Sequence, residues 1–294
     1  MTYGLSERRS CAIAGIRRSS YRYRSDSTRD AELLKQIRTL AQKNPRYGYR
    51  RIWALLRRDR HPVNRKRVWR LWKKAGLTLK RWPTRKRRAG ARVEGPLQAA
   101  FPRHVVTYDF MFVRTVDGRL LKILTVVDEF TRECLGIVVR IRITAVDVIR
   151  ILRRIFGRQG WPEFLRSDNG GEFVAEVLER WLLGRNVKTH HIDPASPWQN
   201  PFGESFNDKF RTECLNLEPL LDAEDGQRVG QAYRRHYNHQ RPHSSLQYQT
   251  PAEVYLDWER TRKELFLSPA PSSLRSSQGA GGREEKTMVG IEER

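Results

Sequence analysis

The chain is poor in cysteine. Its three thiols, Cys11, Cys134 and Cys214, lie far apart with no CxxC pair, which argues against a disulfide framework and a thiolate zinc site and fits a reduced cytosol. Long apolar runs are also missing. The longest, Leu120–Val127, is broken by Lys122 and has the length of a strand, and Ala12–Ile16 is too short and too arginine-flanked for a secretory signal. With no lipidation signal and no basic amphipathic helix bearing a bulky apolar face, a membrane partner is not expected. Acidic residues are scarce as well: 33 Asp and Glu stand against 57 Lys and Arg in 294 residues, a net charge of +24. The imbalance is confined to one end. Residues 1–103 hold 30 basic and 6 acidic side chains, whereas the remainder holds 27 of each. One module neutralising a polyanion, and a second doing something else, would produce this split, and nucleic acid is the expected partner.

The first 26 residues read as a short helical segment, two pieces around Gly15. From Ser27, the residues Leu33, Leu34, Ile37, Leu40 and Ala41 share one face of a helix that must stop near Asn44-Pro45. Ile52, Leu55 and Leu56 mark the next helix, Asp59–Val63 a turn, and Asn64 the cap of a helix carrying Val68, Leu71 and Trp72 up to Gly76. Residues 27–79 therefore read as a helix-turn-helix, with Arg65, Lys66, Arg67, Arg70, Lys73 and Lys74 as its DNA-facing surface. Trp53, Trp69 and Trp72 have helical spacing and are expected in its core rather than against bases. Residues 80–103 form a basic linker.

From His104 the pattern changes to strands. Three consecutive antiparallel strands precede a helix opened by a Thr144/Asp147 capping box and ended by Gly157; a short strand (EFLRSD), a helix over Glu172–Leu183, a strand (NVKTHHI) and a helix over about Asn200–Leu215 follow. The order β-β-β-α-β-α-β-α over 104–217 is that of an α/β, ribonuclease-H-like mixed sheet flanked by helices, preceded here by an all-α region. Residues 218–266 read as a C-terminal helical extension, with helices around Gln227–Tyr237 and Ala252–Leu265, and 267–294 as a disordered tail of Ser, Gly, Pro and charge.

Three carboxylates stand out. Asp109 sits within an apolar strand, where a lone carboxylate is costly unless it binds something. Asp168 ends a short strand before Asn169-Gly170-Gly171, and Glu204 opens a helix. Their spacing carries little weight by itself, but carboxylates gathered at the ends of neighbouring elements suit a hard cation such as Mg²⁺. Asp128 reads as a turn or capping residue and Glu172 as a first-turn helix carboxylate. His190, His191, His236 and His239 lack the companions a zinc site needs, and for His243 packing is the safer reading.

The surroundings of these carboxylates resemble a known family. VVTYDF, LTVVDEFTRECLG, FLRSDNGGEF, SPWQNPFGESFNDKFRTECLN and YNHQRPHSSLQYQTPAE, with YGYRRI and VNRKRVWRLWKKAGL upstream, are similar to successive blocks of bacterial insertion-sequence transposases of the second-reading-frame (orfB) type. The resemblance runs from about Leu5 to Glu253. It implies a retroviral-integrase-like DDE core in which Asp109, Asp168 and Glu204 are catalytic and bind Mg²⁺, or Mn²⁺ in its place, and Arg211 binds DNA two helical turns beyond the glutamate. It further implies cleavage at the element's ends and strand transfer, and double-stranded DNA (ends and target) and the first-frame transposase product as partners. A homo-oligomer on DNA and a nucleoid-associated place in a bacterial cytoplasm complete the expectation. Departures from the family pattern fall at Tyr108, at Pro201-Phe202-Gly203 and at Gln247, where Gly is usual; Gly203 is expected to loosen its helix by about 1 kcal/mol. The competing readings are a non-catalytic helix-turn-helix regulator or inactive remnant, and a nuclease of the same fold without strand transfer.

Overall fold

The computed structural model describes residues 4–24, 30–79, 97–167, 176–191 and 200–267. Most of the basic linker, Asp168, Glu172 and the expected tail beyond Leu267 lie outside the described residues. The chain divides into one unit of residues 1–255 and a second of 256–294, of which the structure describes a helical stretch.

Two short helices, α1 (Glu7–Ile13) and α2 (Arg18–Arg22), flank Gly15. Helices α3 (Ala31–Lys43), α4 (Tyr49–Arg58) and α5 (Arg65–Lys74) then close on a small core of Ile37, Tyr47, Ile52, Leu56, Val68, Leu71 and Trp72. The side chain of Asn64 accepts from the Lys66 amide at 2.7 Å, capping α5 as its sequence predicts. Trp72 is buried and Trp53 half-buried with its indole N–H on the Val63 carbonyl, but Trp69 lies 46% exposed. Its expected core position fails because Val68, Leu71 and Trp72 take the inward face of α5 and Trp69 falls on the flank.

Strands β1 (Val105–Arg114), β2 (Leu120–Asp128) and β3 (Cys134–Arg140) are consecutive and antiparallel, and β4 (Phe164–Ser167) and β5 (Lys188–His191) join in parallel, giving the order β3-β2-β1-β4-β5. Strand alternation sorts the layers. Val106 and Tyr108 pack with α6 (Ala145–Gln159) and α7 (Glu176–Leu183) on one face; Met111 packs on the other with α8 (Pro201–Phe210) and α9 (Ala223–His239). The Thr144/Asp147 capping box forms, but α6 runs past Gly157 and ends at Gly160, whose φ of +93° breaks the helix. The expected helix to Leu215 is α8 followed by one π-turn, Arg211–Leu215.

Helix α9 lies close against β3 because Gly226 and Gly230 leave room: a Cβ at either would sit 2.9 Å from Val139 or Ile137. That approach lets one face of α9 close the sheet's edge. Gln227 bonds both the Val139 amide (2.9 Å) and the Ile137 carbonyl (3.0 Å), Gln231 the same carbonyl (2.9 Å), and Asn238 both backbone groups of Cys134 (2.9 Å each). An edge so occupied cannot template another strand.

Beyond α9, a 3₁₀ turn (Ser244–Leu246) leads to Gln247 and Tyr248 at φ of +53° and +68°, ahead of α10 (Pro251–Leu267). The usual glycine at position 247 thus serves a left-handed conformation, which costs a side-chain-bearing residue about 1–2 kcal/mol. Gln247 is exposed, so little packing is at stake. Gln247→Gly is therefore expected to stabilise the chain by about 1 kcal/mol, read as a melting temperature higher by about 2 °C in calorimetry; an unchanged or lower value would place the strain elsewhere.

Candidate active site

Asp109 stands on β1 opposite Thr125 of β2, half-buried, on the face covered by α8. Its Oδ2 accepts from Nδ2 of Asn207 at 2.8 Å, and Oδ1 of the same amide accepts from the Thr125 hydroxyl at 2.9 Å. Two residues earlier on the same face of β1, the Thr107 hydroxyl donates to Oδ1 of Asn200 at 2.7 Å. That oxygen also accepts from the Gly203 amide at 3.2 Å, which caps α8. Helix α8 is therefore fastened to β1 at two points two turns apart, and Glu204 lies between them in its first turn. A carboxylate there is favoured by the positive end of the helix.

Sequence explains the fastening. An asparagine followed by Pro201 at the first helical position is a strong helix start, since the ring presets φ and lacks only an N–H that would have no intrahelical partner. Gly203, expected to weaken the helix, has a positive reason to be there. A Cβ at this position would come within 2.7 Å of the Asn200 amide, which is held in place by Thr107 and the cap.

Glu204, Asn207 and Arg211 are spaced i, i+3 and i+7, on one side of the helix. Arg211 is exposed at the start of the π-turn and pairs with neither Asp208 nor Glu218. Asp168 lies outside the described residues; it follows Ser167, the buried last residue of β4, whose neighbour Arg166 registers with Thr107 of β1. Arg166 is itself buried against both oxygens of Glu129, at 2.8 and 2.9 Å. Asp128 takes the turn role expected of it, accepting from the Phe130 and Thr131 amides, and adds an ion pair with Arg103 at 2.6 Å.

Glu213, within the π-turn, points inward with its side chain 8% exposed. Its oxygens accept from Nε and Nη2 of Arg241 at 2.6 Å each and from Nη1 of Arg51, on α4, at 2.9 Å. Burial pushes the Glu213 carboxyl up, but the hydrogen bonds and charge of Arg241, with Arg51 beside it, hold it below its usual range. Burial and the charge of Arg241 depress Lys209 to about 8. Two further bonds tie the helical block to the sheet domain: Tyr47 to His236 at 2.8 Å, and Arg58 to the Tyr248 carbonyl at 3.2 Å. Arg58 also meets Glu253. His236 is thus engaged by Tyr47 and Gln240.

Of the basic residues on α5, Arg65, Lys66, Arg70, Lys73 and Lys74 are exposed, whereas Arg67 is half-buried in an ion pair with Asp30. The residues missed from sequence are Thr107, Thr125, Asn200 and Asn207. The Asn200-Pro201 pair carried a legible cap signal; Asn207 carried none beyond its place three residues after Glu204.

His243 is packed, edge-on to Tyr237 at 4.6 Å, with Nε2 buried and without a hydrogen-bond partner among the described residues. Burial, and next the charge of Arg241, lower its pKa from the usual 6.5 to about 2. Below pH 6.5 the unfolded chain therefore binds a proton that the folded chain refuses, so this contribution to stability is complete above pH 6.5 and is lost as pH falls, at up to about 1.4 kcal/mol per pH unit. Melting curves between pH 6.5 and 4.5 should show that decline, and His243→Gln should flatten it; an equally steep decline in the variant would assign the proton to another group.

Comparison with known proteins gives the following. The family described as integrase core domain matches residues 99–197 and 185–251, and that described as HTH-like domain matches 28–88. The "uncharacterized 31.7 kDa protein" of insertion element IS407 from Burkholderia multivorans is 38% identical over 252 residues, 85% of this chain and 90% of its own length. The "uncharacterized 39.2 kDa protein" of insertion element IS476 from Xanthomonas euvesicatoria is 38% identical over 250 residues, 85% of this chain and 72% of its own. Transposase InsD of insertion element IS2D from Escherichia coli K12 is 28% identical over 243 residues, covering 78% and 80%. Among solved structures, the HTLV-2 integrase catalytic core domain in complex with magnesium aligns with a TM-score of 0.41 at 14% identity, over 54% of this chain and 99% of that one.

Proposed function

We propose that this chain, which belongs to the insertion-element transposase family and joins an HTH-like block to an integrase core of ribonuclease-H-like fold, cuts DNA at the ends of its element and joins the freed 3′-hydroxyl to another phosphodiester. The observation that carries the reading is the bond from Asn207 to Asp109: it ties the strand bearing one acidic residue to the helix bearing Glu204, in a chain whose basic excess lies in a separate helical block.

Asp109, Asp168 and Glu204 are the proposed catalytic set. Carboxylate oxygens are the donors Mg²⁺ or Mn²⁺ prefers, so the two described members fit such an ion, and these three residues would hold it. Bound there, the ion supplies charge that activates an attacking oxygen and stabilises a leaving one. The chain's own contribution is placement. Asn207 holds one oxygen of Asp109, and Asn200 fixes the start of the helix that presents Glu204. Arg211, about 10 Å along the helix from Glu204, would grip a phosphate flanking the scissile bond. The exposed basic residues of α5, Arg65, Lys66, Arg70, Lys73 and Lys74, with Arg67 steadied by Asp30, are the proposed surface for the element's ends. The division at residues 26, 79, 103, 217 and 266 belongs to the same reading, as do a first-frame product and further copies of this chain as partners on DNA. No helix among the described residues is long and apolar enough to cross a membrane.

Labelled end DNA with Mg²⁺ tests this, scored for both cleavage and joining. Asp109→Asn, Asp168→Asn and Glu204→Gln are each expected to abolish both reactions and to spare end binding. Asn207→Ala should slow both by about 10–100-fold and raise the Mg²⁺ concentration required, with the fold intact. Arg211→Ala should weaken end binding and joining, and Arg211→Lys should recover part of each, since charge returns without the fork. Joining at the wild-type rate by any carboxylate variant would remove that residue from the site, and a wild-type chain that binds ends without cutting them would favour the regulator or remnant.

A further inference from the structure

A second strongly basic surface lies outside the site. A groove of about 740 Å³ runs between α6 and α9 along the edge strand β3, and Arg140, Arg150, Arg154, Arg158 and Arg234 line it, against one acidic side chain, Glu224. Asp147 compensates Arg140 and Arg150 at 3.1 and 3.6 Å, while sharing its carboxyl with the cap of α6. Arg154 and Arg158 form no ion pair among the described residues and are exposed.

Arg150, Arg154 and Arg158 stand at i, i+4 and i+8, so they form a stripe with steps of about 6 Å over a length of about 12 Å. Like charges at that spacing work against the helix that carries them. A polyanion would relieve the repulsion. A second copy of the same groove would add to it, and an extended peptide finds no strand edge, because Gln227, Gln231 and Asn238 already hold the outward backbone groups of β3. A duplex backbone carries one charge per about 3.4 Å of each strand, so the stripe spans three or four phosphates, roughly one arginine for each. The groove also has a fixed relation to Asp109. Asp109, Thr125 and Ile137 form one row across β1, β2 and β3, so the groove's wall lies two strand spacings, about 10 Å, from the proposed catalytic aspartate.

We propose that this groove holds the sugar-phosphate backbone of DNA flanking the reacting segment, without reading its sequence. The inference rests on the proposed action on DNA but adds a binding surface separate from α5 and from the carboxylates.

The test uses the full chain, a long duplex of random sequence and a titration of KCl. Arg150→Gln/Arg154→Gln/Arg158→Gln is expected to bind that duplex more weakly and to reduce the slope of log K against log salt by up to about 2.7, at about 0.9 for each phosphate no longer neutralised. Cleavage of a minimal end substrate should persist, and neutralising the exposed Arg119 and Arg180 instead should leave the slope closer to wild type. An unchanged slope in the triple variant overturns the proposal while leaving the proposed transposition intact. So does loss of polyglutamate binding with duplex binding retained, which would assign the groove to an acidic protein. A wild-type chain that bound no duplex would overturn both.

Discussion

Arg241 is 1% exposed, and a guanidinium taken that far from water is costly unless its charge and its N–H groups are all answered. Glu213 answers it twice, and much of the architecture around the site follows from making that possible. Glu213 follows the buried Phe206 and Phe210 at i+7 and i+3, so it continues the inward face of α8 into the π-turn at Arg211–Leu215. The segment after α9 must bring Arg241 inward; burial, joined by the positive charge Arg241 carries there, keeps the neighbouring His243 neutral and lowers Lys209. Arg51 completes the set from α4, so one acidic side chain holds three blocks of the unit: the helical region, the end of α8, and the chain beyond α9.

The proposed site depends on a second, gentler constraint. Asn200 and Asn207, two turns apart, meet Thr107 and Asp109, two residues apart on β1. A helix and a strand advance at different rates per residue, about 1.5 and 3.3 Å, so the two spans differ by only a few ångströms, and the helix can lie along the strand with both amides engaged. Uncharged amides do this at little desolvation cost.

Local features of this chain were legible. The Asn64 cap, the Thr144/Asp147 box and the three-strand meander are written within a few residues of themselves, and each forms. So was the oddity of Asp109, because a carboxylate in an apolar strand is conspicuous without any partner in view. What could not be read is what depends on distant chain. Arg51 and Glu213 are 162 residues apart, Arg58 and Glu253 195, and nothing in either neighbourhood announces the other. Gly157 reads as the end of α6, yet the helix passes it and stops at Gly160, whose backbone takes a positive φ. Gly203 looked like a defect because propensity counts only the helix it sits in, whereas its value comes from an amide folded over it. Asn207 on a helix surface is silent until a strand bearing Asp109 is laid opposite.

The bonds from α4 and from Tyr47 just before it to the sheet domain have a consequence for distance. Tyr47, Arg51 and Arg58 each reach a different segment of it, His236, Glu213 and the Tyr248–Glu253 turn. Three anchors to separate segments restrain the helical block, and with it α5, which packs on α4, relative to the sheet. If α5 reads the element's end, the number of base pairs between the bases read and the bond cut is then measured by folded protein, as by a caliper with its jaws locked, and the length of the linker between residues 79 and 104 has no part in the measurement.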